Sequence, residues 1–165
     1  METIFKRVSV RSYLDIDVDE ATVEKILRAG MAAPSAKNQR PWEFYVVERP
    51  GILQQLGERI PAAAPVARAS VAIVACSRKE NLPGPQYVEM DMSACMENML
   101  LEAAHLNMGA VWLAVAPSEE KKAIVRELLD LPDRLDAFAI LPVGYPMGEP
   151  KPHDRFDPER IHRID

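Results

Sequence analysis

Residues 87–107, YVEMDMSACMENMLLEAAHLN, decide the architecture. Met90, Met92, Ala94, Cys95, Met96, Met99, Leu100, Leu101, Ala103, Ala104 and Leu106 make a helix over this stretch apolar nearly all round. A helix apolar nearly all round must be buried on most sides, inside its own domain or against another subunit. Gly109 ends it. On its N-terminal side, 71–76 (Val-Ala-Ile-Val-Ala-Cys) is an unbroken apolar run and predicts a strand covered on both faces. Residues 77–86 form a loop around Pro83, Gly84 and Pro85. On its C-terminal side, 110–116 predicts a third strand. Ser118 then caps a helix with Glu119 and Glu120 in its first turn. Ile124, Val125, Leu128 and Leu129 supply that helix's inner face, and a fourth strand follows at 137–143.

Further out, the 14 prolines punctuate the chain. Residues 3–8 suit a short helix. Asp17 and Glu20 have capping-box spacing, and Val23, Ile26, Leu27, Gly30 and Met31 then share one helical face. Residues 34–41 read as a polar loop, 42–48 as an aromatic and β-branched strand, and 52–60 as a helix. The tail from 144 to 165 is poor in apolar residues and must lie across another surface. The reading is α+β: one domain over 1–165, with a mixed central sheet flanked by helices. The apolar helix and the tail together favour a homodimer.

Composition narrows the function. The chain has 165 residues, 48% hydrophobic and 27% charged, with a formal net charge of −5. That balance disfavours nucleic acid as a partner but leaves room for a local cationic cluster. Two cysteines are too few for a disulfide framework, so a reducing, cytoplasmic setting is expected. The N-terminus lacks the apolar core of a signal peptide, and no apolar run reaches the roughly 18 residues of a membrane span. His105, His153 and His162 lack paired metal-ligand spacing, and no Gly-x-Ser-x-Gly elbow is present.

Two segments carry chemistry. In Arg7-Val8-Ser9-Val10-Arg11, an extended backbone points Arg7, Ser9 and Arg11 to one side, and guanidinium forks suit phosphate. A basic surface stretch paired with neighbouring acids is the plain alternative. In Pro34-Ser35-Ala36-Lys37-Asn38-Gln39-Arg40-Pro41-Trp42, small residues and amides could lie against a planar ring and bond its heteroatoms. A proline-bounded turn is the alternative there.

Together these segments resemble the nitroreductase family. The first is similar to its N-terminal arginine–serine–arginine flavin motif, the second to its proline–serine–asparagine–proline–tryptophan loop. Glu97-Asn98-Met99-Leu100-Leu101-Glu102-Ala103-Ala104, Met108-Gly109-Ala110-Val111-Trp112-Leu113 and Pro142-Val143-Gly144-Tyr145-Pro146 are further matches, in family order.

The resemblance implies FMN bound between two subunits. Arg7, Val8, Ser9 and Arg11 would hold phosphate, ribityl chain and pyrimidine edge. Pro34, Ser35, Ala36 and Asn38 of the partner would cover one ring face. Trp112, Leu113, Ala114 and Val115 would set backbone near the flavin N5. Arg155 would be a second phosphate cation, with His153 where a lysine is common, and the tail would be exchanged. Ala114 stands where the family often has glycine, and Glu97 where it has glutamine. The implied activity is hydride transfer from NADH or NADPH through N5 to small acceptors such as nitroaromatics or quinones. One ring face used in turn gives ping-pong kinetics, with no catalytic side chain and no metal. The alternatives are another flavin enzyme on the same scaffold and a non-catalytic flavin-binding protein.

Overall fold

The computed structural model describes residues 2–164. Its elements are α1 (Glu2–Lys6), α2 (Glu20–Met31), β1 (Trp42–Val47), α3 (Pro50–Arg59), β2 (Val71–Arg78), α4 (Val88–His105), β3 (Gly109–Ala110), β4 (Leu113–Ala114), α5 (Glu119–Leu129) and β5 (Leu135–Gly144), with short 3-10 turns between. Strand order is β1-β2-β5-β3, and β4 also pairs with β5.

Every pairing among the described strands is antiparallel. The expected mixed sheet is therefore corrected to an antiparallel one. The burial of 71–76 on both faces holds, and it fits either kind of sheet, because helices covering both faces of an antiparallel sheet make the same demand as in a parallel one. Val71, Ile73 and Ala75 face α2 and α4, together with Ala139, Leu141 and Val143 of β5. Ala72, Val74 and Cys76 face α3 and α5, together with Ala137 and Ile140. The period-2 alternation of side chains thus feeds two cores separated by one sheet.

The third strand is also corrected: it is split into β3 and β4. Their pairings with β5 share one register, which places Val111 opposite Pro142. Proline has no N–H to donate to a ladder, so the pairing lapses there and resumes beyond it. The cap of α2 is Asp19, not Asp17. Its carboxylate accepts from Thr22 N and from the Thr22 hydroxyl, both at 2.8 Å. Ser118 caps α5 as expected.

Helix α4 buries Met92, Cys95, Met96, Met99, Leu100 and Ala103 within the single chain. Each large side chain withdrawn from water contributes about 1.5–3 kcal/mol. The apolarity of this helix is therefore largely satisfied inside one protomer, and only Met90, 69% exposed, remains conspicuous on it. The uncovered apolar groups lie elsewhere, on α1 (Phe5, 76% exposed) and in the tail (Phe156, 74% exposed). None of the described helices is long and apolar enough to cross a membrane.

Helices α2 and α4 pack closely because Gly30 has no side chain. A Cβ there would lie 2.7 Å from Met99 Cγ and 3.1 Å from Cys95 Sγ. Gly30→Val should lower the unfolding free energy by about 1–3 kcal/mol through overpacking. Urea denaturation measures this, and an unshifted midpoint would show that the helices do not meet so closely.

Candidate functional site

The N-terminal segment reaches the sheet over two glycines. A Cβ on Gly109 would come within 2.6 Å of Val10, and one on Gly144 within 2.9 Å of the Tyr13 ring. With those positions bare, the segment lies flat across the ends of β3 and β5. Val10 N donates to Ala110 O at 2.9 Å, and Leu14 N donates to Tyr145 O at 2.8 Å. The Tyr13 hydroxyl donates to Val10 O at 2.8 Å, and burial raises its pKa. Ser9 and Arg11, alternating with the inward Val10, remain exposed.

The tail returns to the same place. Met147 N donates to Ser12 O at 3.0 Å, and Gly148 then takes φ 93°, a left-handed turn that glycine makes without a Cβ clash. A cleft of about 440 Å³ opens between the two segments, lined by Val8, Ser9, Arg11, Lys151, His153 and Arg155 among others. Its one acid is Glu149. Among the described residues, Arg11, Lys151 and Arg155 make no salt bridge. Cations converging without carboxylate partners form a basic pocket on an acidic protein, suited to an anionic group. A second cleft, of about 520 Å³, adjoins it through His153 and Arg155 and is lined also by Ile4, Phe5, Arg7 and Phe156.

Arg7 differs from Ser9 and Arg11. It turns onto α4, where its Nε lies 3.4 Å from Glu97 Oε1, and it reaches only the second cleft. The expectation that all three side chains share one side holds for two of them.

The remaining candidate residues line neither cleft. Pro34, Ser35, Ala36 and Asn38 form a loop bound to the N-terminal turn of α4, where Ala36 N donates to Asp91 Oδ1 at 2.8 Å. Arg7 meets the same helix six residues further on, about 9 Å along its axis. Trp112 stacks tilted on Phe138 with centroids 5.7 Å apart, Val115 is buried, and Leu113 pairs with Ile140. Ala114 is exposed, and its carbonyl accepts from Lys121 Nζ at 3.1 Å. The single chain therefore brings Val8, Ser9, Arg11, His153 and Arg155 to one cleft, with Arg7 adjoining, and places the other two groups outside it.

Sequence reasoning missed Lys151, although it stands two residues before His153 in an extended tail, the spacing that puts both on one side. It also missed Asp91, and it counted Gln39 among the amides open to a ring, whereas Gln39 is buried and donates to Asp91. The signal for Asp91 was an acid one turn before Cys95, on the helix face that also carries Met92 and Met99. Neither cysteine offers a nucleophile: burial pushes the thiols of Cys76 and Cys95 up to about 12. Among the described residues no three His, Cys, Asp or Glu side chains gather as metal ligands.

A model of the nitroreductase family matches residues 4–81 and 61–145. A relative in Methanothermobacter thermautotrophicus, named "Putative NADH dehydrogenase/NAD(P)H nitroreductase", is 41% identical over 164 residues, covering 98% of this chain and 85% of its own. The crystal structure of a Parabacteroides distasonis protein of the same name superposes with a TM-score of 0.92 at 38% identity, covering 99% of this chain and 96% of that one. An "FMN-dependent Nitroreductase" of Clostridium difficile gives a TM-score of 0.90 at 28% identity, covering 99% of this chain and 98% of that one. The chain belongs to the nitroreductase family.

Proposed function

We propose that this protein is an FMN-dependent oxidoreductase working as a homodimer in the cytoplasm. The observation that carries the reading is the basic cleft, which Arg11, Lys151 and Arg155 line beside a single acid, Glu149, with which they make no salt bridge. Charges near a phosphate of about −2 suit a terminal monophosphate. The FMN-dependent relative in Clostridium difficile supports the same choice.

In this reading Arg11 and Arg155 grip the phosphate, Ser9 and Val8 follow the ribityl chain, and Arg7 extends toward the pyrimidine edge. His153 lies beside the phosphate cations. The loop of Pro34, Ser35, Ala36 and Asn38 belongs to a partner protomer. This explains why it stands apart from the cleft in one chain. Trp112, Leu113, Ala114 and Val115 supply backbone along the ring edge. The exposed Phe5 and Phe156 are covered by the partner, with the tail exchanged between protomers.

FMN held by these residues would supply the redox chemistry, hydride transfer between NADH or NADPH and small acceptors such as quinones or nitroaromatics. The chain's own part is to hold charge, fix the ring and leave one face open. No side chain needs to act as acid or base.

Two outcomes are expected. Arg11→Ala should weaken FMN binding by about 10- to 150-fold, the worth of a charge-assisted hydrogen bond, whereas Lys37→Ala should change it less than about 2-fold. Flavin fluorescence quenching measures both, and equal losses would mean that the phosphate lies elsewhere. Initial rates with varied NAD(P)H and quinone should give parallel double-reciprocal lines. Intersecting lines would put donor and acceptor on the protein together, and no turnover by FMN-loaded protein would leave a binding protein.

A further inference from the structure

Buried polar groups with no part in the reading so far lie together beneath the 34–41 loop. Asp91, only 6% exposed, sits in the first turn of α4. Among the described residues it has no cationic partner. Its Oδ1 accepts from Ala36 N at 2.8 Å, and its Oδ2 accepts from Gln39 Nε2 at 2.6 Å. Gln39, as deeply buried, also donates from Nε2 to Gly84 O at 2.9 Å and accepts at Oε1 from Gly84 N at 3.0 Å. Gly84 thus fixes which end of the amide is which. A flipped Gln39 would oppose donor to donor and acceptor to acceptor.

The outer side is tied as well. Arg78 donates to Gln39 O at 2.7 Å and to Arg40 O at 3.1 Å. Lys37 Nζ donates to Pro83 O at 2.8 Å, and Arg40 N donates to Ser35 Oγ at 2.9 Å. What these bonds hold is an unfavourable backbone. Lys37, Asn38 and Arg40 have φ of 52°, 52° and 43°, left-handed values that oppose a Cβ. Such a conformation persists only where its surroundings over-determine it.

We propose that Asp91 and Gln39 form a buried latch that holds the 35–40 loop, with Lys37, Asn38 and Arg40 left-handed, before any ligand arrives. Asp91 is then a positioning residue. It touches no ligand but keeps Ser35, Ala36 and Asn38 presented outward. The inference rests on the FMN reading for what the loop meets, and on this chain alone for how the loop is held.

The apparent affinity of a site scales with the population of its competent conformation. Asp91→Asn keeps the size of the side chain but turns a donor toward either Ala36 N or Gln39 Nε2. FMN binding should weaken by at least about 10-fold. Lys37→Gly placed on that variant should recover roughly 2- to 5-fold, because glycine adopts φ 52° freely. Lys37→Gly alone should change affinity less than about 2-fold, because the ease of glycine at φ 52° offsets loss of the exposed Lys37–Pro83 bond. A role confined to the stability of α4 would not be repaired by glycine at position 37.

Hydrogen exchange on the FMN-free natural protein is the companion measurement, and it needs no variant. Peptides covering 35–40 should be protected without FMN. Natural affinity in folded Asp91→Asn, or no recovery from Lys37→Gly, would overturn the latch. If Asp91→Asn does not fold, exchange decides: a loop protected only once FMN is added is ordered by its ligand, and the proposal is wrong. Failure of the natural protein to bind FMN would instead remove the functional reading, while protection at 35–40 still tests the latch.

Discussion

The cleft depends on a close approach that two glycines allow. Gly109 and Gly144 face each other across β3 and β5, and the chain from Val10 to Tyr13 lies directly on them. A methyl at either position would meet Val10 or the Tyr13 ring well inside van der Waals contact. The segment would then be pushed off the sheet, carrying Ser9 and Arg11 with it. Because it lies flat, the tail can bond to Ser12 and bring Lys151, His153 and Arg155 alongside. The sheet edge, the N-terminal segment and the tail are therefore one construction, and its product is a pocket of unpaired cations.

Much of this was legible in the sequence because periodicity and chain breakers report local geometry directly. The methionine-rich helix, the two-faced strand at 71–76 and the serine cap at 118 are local facts, and each has its physical cause within a few residues. The alternation of Ser9 and Arg11 about Val10 was equally readable. Arg7 was not, because its direction is set by Glu97, ninety residues away on α4.

The errors share that character. Strand direction depends on how distant segments connect and pair, and the run from Val71 to Cys76 is the same whether its partners are parallel or antiparallel. The break between β3 and β4 is imposed by Pro142, which sits on a different strand. Asp91 was read past because α4 carries other acids that face water, and the bonds that set it apart, to Ala36 and Gln39, reach across more than fifty residues of sequence. A dimer, too, is favoured by surfaces other than the helix the sequence points to. Helix α4 satisfies most of its apolar surface within one chain, and the exposed Phe5 and Phe156 now carry the case.

Two candidate surfaces that stay apart within one protomer become one site only if a second copy supplies the missing half. Subunit mixing tests this directly. Arg11→Ala disables the phosphate side and Asn38→Ala the loop side, so either homodimer should bind FMN poorly. In a mixed dimer of the two, one site inherits both defects and the other inherits neither. FMN titration of purified mixed dimers should recover natural affinity at about half the sites. Weak binding at every site would mean that the cleft and the loop act within a single chain, or not together, and the two-subunit account would be wrong.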